Sequence, residues 1–144
     1  MVMQLVIGGA FSGKRKIVRE RNPKCNWLSA YNCDRVSEWE ASWEKGSSLV
    51  LEGWERWVAD ELEKNENSHE IRKSLQSFFQ LLKEEERKRE NEIVLIMLEI
   101  GRGIVPLQKD ERTLRDLAGW IAQDAAQVAD EVHYVWNGLA KKMK

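Results

Sequence analysis

Residues 8–15 read Gly-Gly-Ala-Phe-Ser-Gly-Lys-Arg and follow a short apolar run over residues 2–7, broken by Gln4. From Gly8 to Lys14 the spacing is G-x-x-x-x-G-K, the pattern of a loop that holds phosphate. Its glycines let the chain curl until successive N–H groups converge on phosphate oxygens, and Lys14 reaches the outer phosphates as a point charge. The pattern gives a phosphate-binding set of Gly8, Gly9, Ala10, Phe11, Ser12, Gly13, Lys14 and Arg15. Arg15 stands where Ser or Thr is expected, whose hydroxyl would bind Mg²⁺. A guanidinium cannot coordinate a cation, and its charge disfavours one nearby. Two roles stay open for it: direct phosphate binding, or a solvent-facing side chain.

Phosphate chemistry also needs an acidic group near the ends of the strands, to hold metal-bound water or to orient a nucleophile. Glu52 closes the apolar run around Leu49, Val50 and Leu51, and Glu99 lies near the end of the run over residues 93–100. Glu52 is the candidate catalytic partner of Lys14 and the candidate metal ligand, on the expectation that its strand lies beside the phosphate loop. Glu55, one helical turn on, could share that role, whereas Glu99 reads equally as a solvated strand end. The two histidines point elsewhere. His69 sits in the polar tract "NENSHEI" and His133 within the last apolar run, neither with the neighbours of a nucleophile or a metal site.

These residues need elements to position them. Three apolar runs (2–7, 49–51 and 93–100) alternate with amphipathic stretches, the pattern of a parallel sheet with crossover helices. Their continuous apolarity predicts strands covered on both faces. Further strands are expected around Trp27–Leu28 and over 132–136, the latter ending at Asn137-Gly138. Helices are expected over 13–21, 35–46, 54–64, 69–90 and 110–131, with an exposed turn near 63–70. The charged run at the end of the fourth has mixed signs, which marks a solvated helix end and not a binding patch.

The bulk composition narrows the classes. With 144 residues the chain is read as one domain, 1–144, able to bury a real core. A net charge of -1 gives no argument for nucleic acid or a membrane surface, and no apolar run is long enough to span a bilayer. No leader pattern is visible, and Cys25 and Cys33 lack zinc-motif spacing, so a cytoplasmic protein with reduced thiols is expected. Most of the seven tryptophans are expected in packing.

The C-terminal third carries a more specific signal. Glu99, Gly101, Gly103, Ile104, Val105 and Pro106 are followed by Arg115, Asp116, Gly119 and Gln123, and then by Ala129, Asp130, Glu131, Val132 and Gly138. Together with Gly8, Gly9, Ser12, Gly13 and Lys14, and with residues 49–52, this series resembles the bifunctional adenosylcobinamide kinase/adenosylcobinamide-phosphate guanylyltransferase family. The resemblance implies an α/β fold of the P-loop NTPase type, a parallel sheet flanked by helices, often assembled as a trimer. It implies ATP or GTP as ligand and adenosylcobinamide as phosphate acceptor, followed by GMP transfer through a guanylylated histidine. The departures fall on chemical positions. The family's segment with that histidine is missing after the second strand, the loop serine is Arg15, and its C-L-T reads Gly53-Trp54-Glu55. The expectation is a shortened, divergent member that binds a nucleoside triphosphate, with guanylyl transfer lost and kinase activity impaired at the metal site. Arg15 puts any Mg²⁺ in doubt. Two alternatives stand beside it: a non-catalytic nucleotide- or corrinoid-binding protein working through a partner, and a small-molecule kinase with another acceptor.

Overall fold

A computed structural model describes residues 2–99 and 109–144. The G-x-G-I-V-P stretch over 101–106 lies outside the described residues, as does Ile100. The apolar runs form strands β1 (Gln4–Gly8), β3 (Ser48–Glu52) and β4 (Ile93–Leu98), joined by β2 (Cys25–Ser29) and β5 (Glu131–Trp136). A sixth strand, β6 (Leu139–Lys142), turns back on β5 through Asn137 and Gly138, both at positive φ. That is the backbone of a type I′ hairpin, for which Asn-Gly is the favoured dipeptide. The sheet order is β2-β3-β4-β1-β5-β6, with every neighbouring pair parallel except β5–β6.

Both faces of this sheet are covered, as continuous apolar strands require. Leu5, Leu49, Leu51, Ile93, Leu95 and Met97 face one large core with Trp54, Phe79, Leu82, Leu117 and Ile121. That core is closed by helices α3 (Trp54–Lys64), α4 (Ser68–Arg89) and α5 (Lys109–Val128). Alternate residues Val6, Val50, Val94, Ile96 and Val135 face the other side, where Val18 and Ile17 of α1 (Lys14–Arg21) cover them. The turn expected near 63–70 is shorter, residues 65–67, because Asn67 caps α4 by accepting the Glu70 N–H at 3.2 Å. His69 therefore stands in the first turn of α4 and is exposed.

Two expectations are corrected. The helix over 35–46 is only a single tight turn (Val36–Glu38) and a four-residue α2 (Trp39–Ser42). The helix ends where the Trp43 backbone turns extended; Trp39 and Trp43 are both buried, and the Trp43 indole donates to the Ser47 carbonyl at 2.8 Å. The strand beside β1 is β4, not β3. Glu52 thus lies one strand farther from the loop than the residue pattern suggested. Of the seven tryptophans, Trp39, Trp43, Trp54 and Trp57 are buried, and Trp54 packs edge-on to Trp57 and Phe79.

Candidate functional site

The loop of residues 9–13 leaves the end of β1 and enters α1 directly. Gly8 is required by crowding: a Cβ there would sit 2.4 Å from the Val135 carbonyl oxygen and 2.9 Å from Ser12 Oγ. Gly13 is required by conformation, since it opens α1 at φ 99°, in the left-handed region. Its back rests on the β5–β6 turn, where a Cβ would lie 3.1 Å from Gly138 Cα. The Gly138 N–H donates to the Ser12 carbonyl at 2.7 Å, so the hairpin turn buttresses the loop. At the apex Phe11 adopts φ 58° and is fully exposed, a conformation that a bulky residue rarely takes.

Lys14 folds back into this loop. Its ammonium donates to the Gly9 carbonyl at 2.6 Å, the Gly8 carbonyl at 3.1 Å and Ser12 Oγ at 3.4 Å. Burial pulls its pKa below the ordinary lysine value, opposed by the charges of Glu55 and Glu52 and reinforced by that of Arg15. Gly8 also accepts the Glu99 N–H at 2.8 Å, which ties the end of β4 to the start of the loop. Glu99 in turn accepts from the Tyr134 hydroxyl at 2.6 Å.

Arg15 is not turned to solvent. Its Nε donates to Glu52 Oε2 at 2.9 Å and its Nη2 lies 2.7 Å from Glu52 Oε1, a two-pronged ion pair. Helix α1 connects β1 to β2 and so crosses β4 and β3, which carries Arg15 over the end of β3. The Glu52 hydrogen bond is the main cause of a raised Arg15 pKa. Glu52 is 3% exposed, and both of its oxygens serve the guanidinium. Gly53 makes this possible at φ 87°, letting the end of β3 approach Ala30.

Around the pair lie two residues that the sequence pattern did not single out. Tyr31 packs under two guanidiniums, with Arg15 Cζ 5.7 Å and Arg56 Cζ 5.4 Å from its ring centre. Its hydroxyl donates to Glu55 Oε1. Burial, then this bond, pushes the Tyr31 pKa up. Glu55 Oε2 is buried and has no hydrogen-bond partner among the described residues. The structure thus brings Lys14, Arg15, Glu52 and Glu55 together at the carboxyl ends of the parallel strands. Tyr31 and Arg56 carry no spacing motif, and only their folding onto Arg15 reveals them. His133 is 7% exposed in β5, with Nε2 3.3 Å from Glu131 Oε2.

A broad groove of about 1360 Å³ runs elsewhere, between residues 33–37 and helices α3 and α4, lined in part by Trp57, Ile71, Leu75 and Phe78. It includes none of the loop residues. Among the described residues no helix is long and apolar enough to cross a membrane.

Fold and site together define an α/β protein with a mostly parallel sheet and a glycine loop between its first strand and first helix. The model of the family described as cobinamide kinase / cobinamide phosphate guanyltransferase (CobU) matches residues 18–143, and the chain belongs to that family. The match begins at Val18, so the glycine loop itself lies outside it. The chain is also similar to the bifunctional adenosylcobalamin biosynthesis protein CobU of Salmonella typhimurium, with 44% identity over 52 residues. The Escherichia coli protein of the same name is 42% identical over 52 residues. Each match covers 36% of this chain and 29% of the relative's own length.

Proposed function

We propose that this chain is a single-domain nucleoside triphosphate-binding protein of the cobinamide kinase type, with its phosphate site at residues 8–15. The observation that carries the reading is the loop itself, where β1 runs into α1 with glycines at its crowded and left-handed positions and Lys14 folded into its mouth. The ammonium is held by loop carbonyls that phosphate oxygens can replace, and the first amides of α1 favour an anion. Family membership adds cobinamide as the acceptor class. Of the two carboxylates, Glu52 has both oxygens engaged by Arg15. Glu55 keeps one buried oxygen without a hydrogen-bond partner among the described residues, which leaves Glu55 as the carboxylate for an acceptor hydroxyl once ligand binding uncovers it.

Guanylyl transfer through histidine is absent from this reading. A phosphoramidate needs an imidazole free to reach the α-phosphate. His133 is enclosed in the sheet beside Glu131, and His69 stands in the first turn of a different helix. A second reading, a nucleotide-binding protein that does no chemistry and acts through a partner, is favoured by one observation, the engagement of both Glu52 oxygens by Arg15.

Titration calorimetry with ATP and GTP tests the binding claim, and Lys14→Ala anchors it to the loop. Removing the ammonium should weaken triphosphate binding by roughly 1.5–3 kcal/mol, the range of a charge-assisted contact. Unchanged affinity in the variant would detach the ligand from this loop. Phosphate transfer from the bound triphosphate to adenosylcobinamide would then decide between the two readings.

A further inference from the structure

We infer that the loop binds its triphosphate without a divalent cation, the Arg15 guanidinium standing in the place a loop hydroxyl and its metal would hold; this rests on the triphosphate-binding reading above. The donors present do not fit Mg²⁺, which takes oxygen ligands in near-octahedral geometry. The loop position that should supply a hydroxyl supplies a cation instead. The nearby buried carboxylate, Glu52, has both oxygens committed to that cation at 2.9 and 2.7 Å. Glu55, the other carboxylate near Lys14, has one oxygen bound by the Tyr31 hydroxyl and the other buried.

The same geometry suits Arg15 to phosphate. A guanidinium carries five N–H groups, and Glu52 occupies one on Nε and one on Nη2, leaving three. The Arg15 side chain is 49% exposed and the Glu52 side chain 4%, so the carboxylate anchors one edge of the fork and the other edge stays open. Arg15 directly follows Lys14, whose ammonium sits inside the loop, and the two charges are close enough to lower the Lys14 pKa. An oxyanion that displaces the loop carbonyls from Lys14 therefore meets a second, pre-oriented cation. The Tyr31 ring packs against the guanidinium at 5.7 Å, and the Tyr31 hydroxyl is bonded to Glu55.

The test is triphosphate affinity, measured by calorimetry with ATP and GTP in excess EDTA and in excess Mg²⁺. The native protein should bind with affinities that differ by less than about threefold between the two conditions. In Arg15→Ser the affinity in EDTA should fall at least about tenfold, because a cationic phosphate contact is lost. Mg²⁺ should recover most of that loss. Glu52→Gln keeps an acceptor for Arg15 and removes a nearby charge that could serve a metal, so its affinity should change equally in EDTA and Mg²⁺. Three results would overturn the inference and leave the binding reading intact. They are native binding tightened more than about threefold by Mg²⁺, a Glu52→Gln loss confined to Mg²⁺, or an Arg15→Ser protein that binds as tightly as the native one in EDTA. Absence of triphosphate binding under both conditions would overturn both.

Discussion

Glu86 offers a measurable test of how the core positions the site. It lies on α4, is 2% exposed, and accepts the Ile93 N–H at 2.7 Å, so it holds the first residue of the strand that leads to Glu99 and the loop. Burial pushes its pKa from 4.5 up to about 7; the Ile93 N–H opposes this, Asp130 and Glu92 add to it, and the N-terminal amine opposes it weakly. The native state therefore holds a proton between about pH 4.5 and 7 that the unfolded chain has released. Stability attributable to this group falls as pH rises through that window, and the full cost is felt above pH 7. At about 1.4 kcal/mol per pH unit, the penalty for carrying the charge is roughly 3 kcal/mol. Glu86→Gln keeps a carbonyl oxygen for the Ile93 N–H and cannot ionise. It should leave stability nearly unchanged at about pH 4.5 and raise it by about 1–3 kcal/mol at about pH 8. Urea unfolding followed by tryptophan fluorescence, run on both proteins at pH values of about 4.5, 6 and 8, reads the difference directly. Comparing variant with native chain cancels the titration of groups the two share. Parallel pH profiles, or a glutamine variant less stable at the highest pH, would show that Glu86 carries its charge without penalty.

Incubation with GTP labelled at the α-phosphate, followed by denaturing electrophoresis, should leave the chain unlabelled; an acid-labile, alkali-stable label would refute the reading of His69 and His133. Gly53→Ala should destabilise the fold by about 2–4 kcal/mol, because the new Cβ meets Ala30 Cβ at 2.7 Å on a backbone at φ 87°. Urea midpoints check this, and a loss under about 1 kcal/mol would mean that β3 can shift to accept the methyl. Gly138→Ala should cost less, about 1 kcal/mol, since its Cβ meets nothing within 4 Å and only the φ of 75° penalises it. A cost in unfolding free energy as large as that of Gly53→Ala would show that the hairpin turn bears on the loop more tightly than these contacts imply.

Much of what depends on neighbours in the chain was legible from residue order alone. The glycine spacing and the apolar run before it placed the loop between β1 and α1, because turn conformation and strand alternation are local properties. The runs Leu49-Val50-Leu51 and Ile93–Leu98 were legible as strands covered on both faces for the same reason. Val50 faces the smaller core under α1 while Leu49 and Leu51 face the larger one, as alternation along a strand requires. The Asn137-Gly138 pair marked the end of β5, but β6 was not read beyond it, because Leu139–Lys142 is too short and polar to show a pattern of its own.

The remainder came from packing between distant segments. Nothing local says that β4 rather than β3 lies beside β1, since strand order follows from where each crossover helix packs, and that depends on the whole core. The same crossover brings Arg15 to Glu52, 37 positions away, and so turns a missing hydroxyl into an ion pair. Tyr31 and Arg56 join them only because the ends of β2 and β3 converge at Gly53 and Ala30. A side chain's chemistry is set by its type, but its partner is set by contacts between segments far apart in the chain. That is why the loop could be read from residues 8–15 and the use of Arg15 could not.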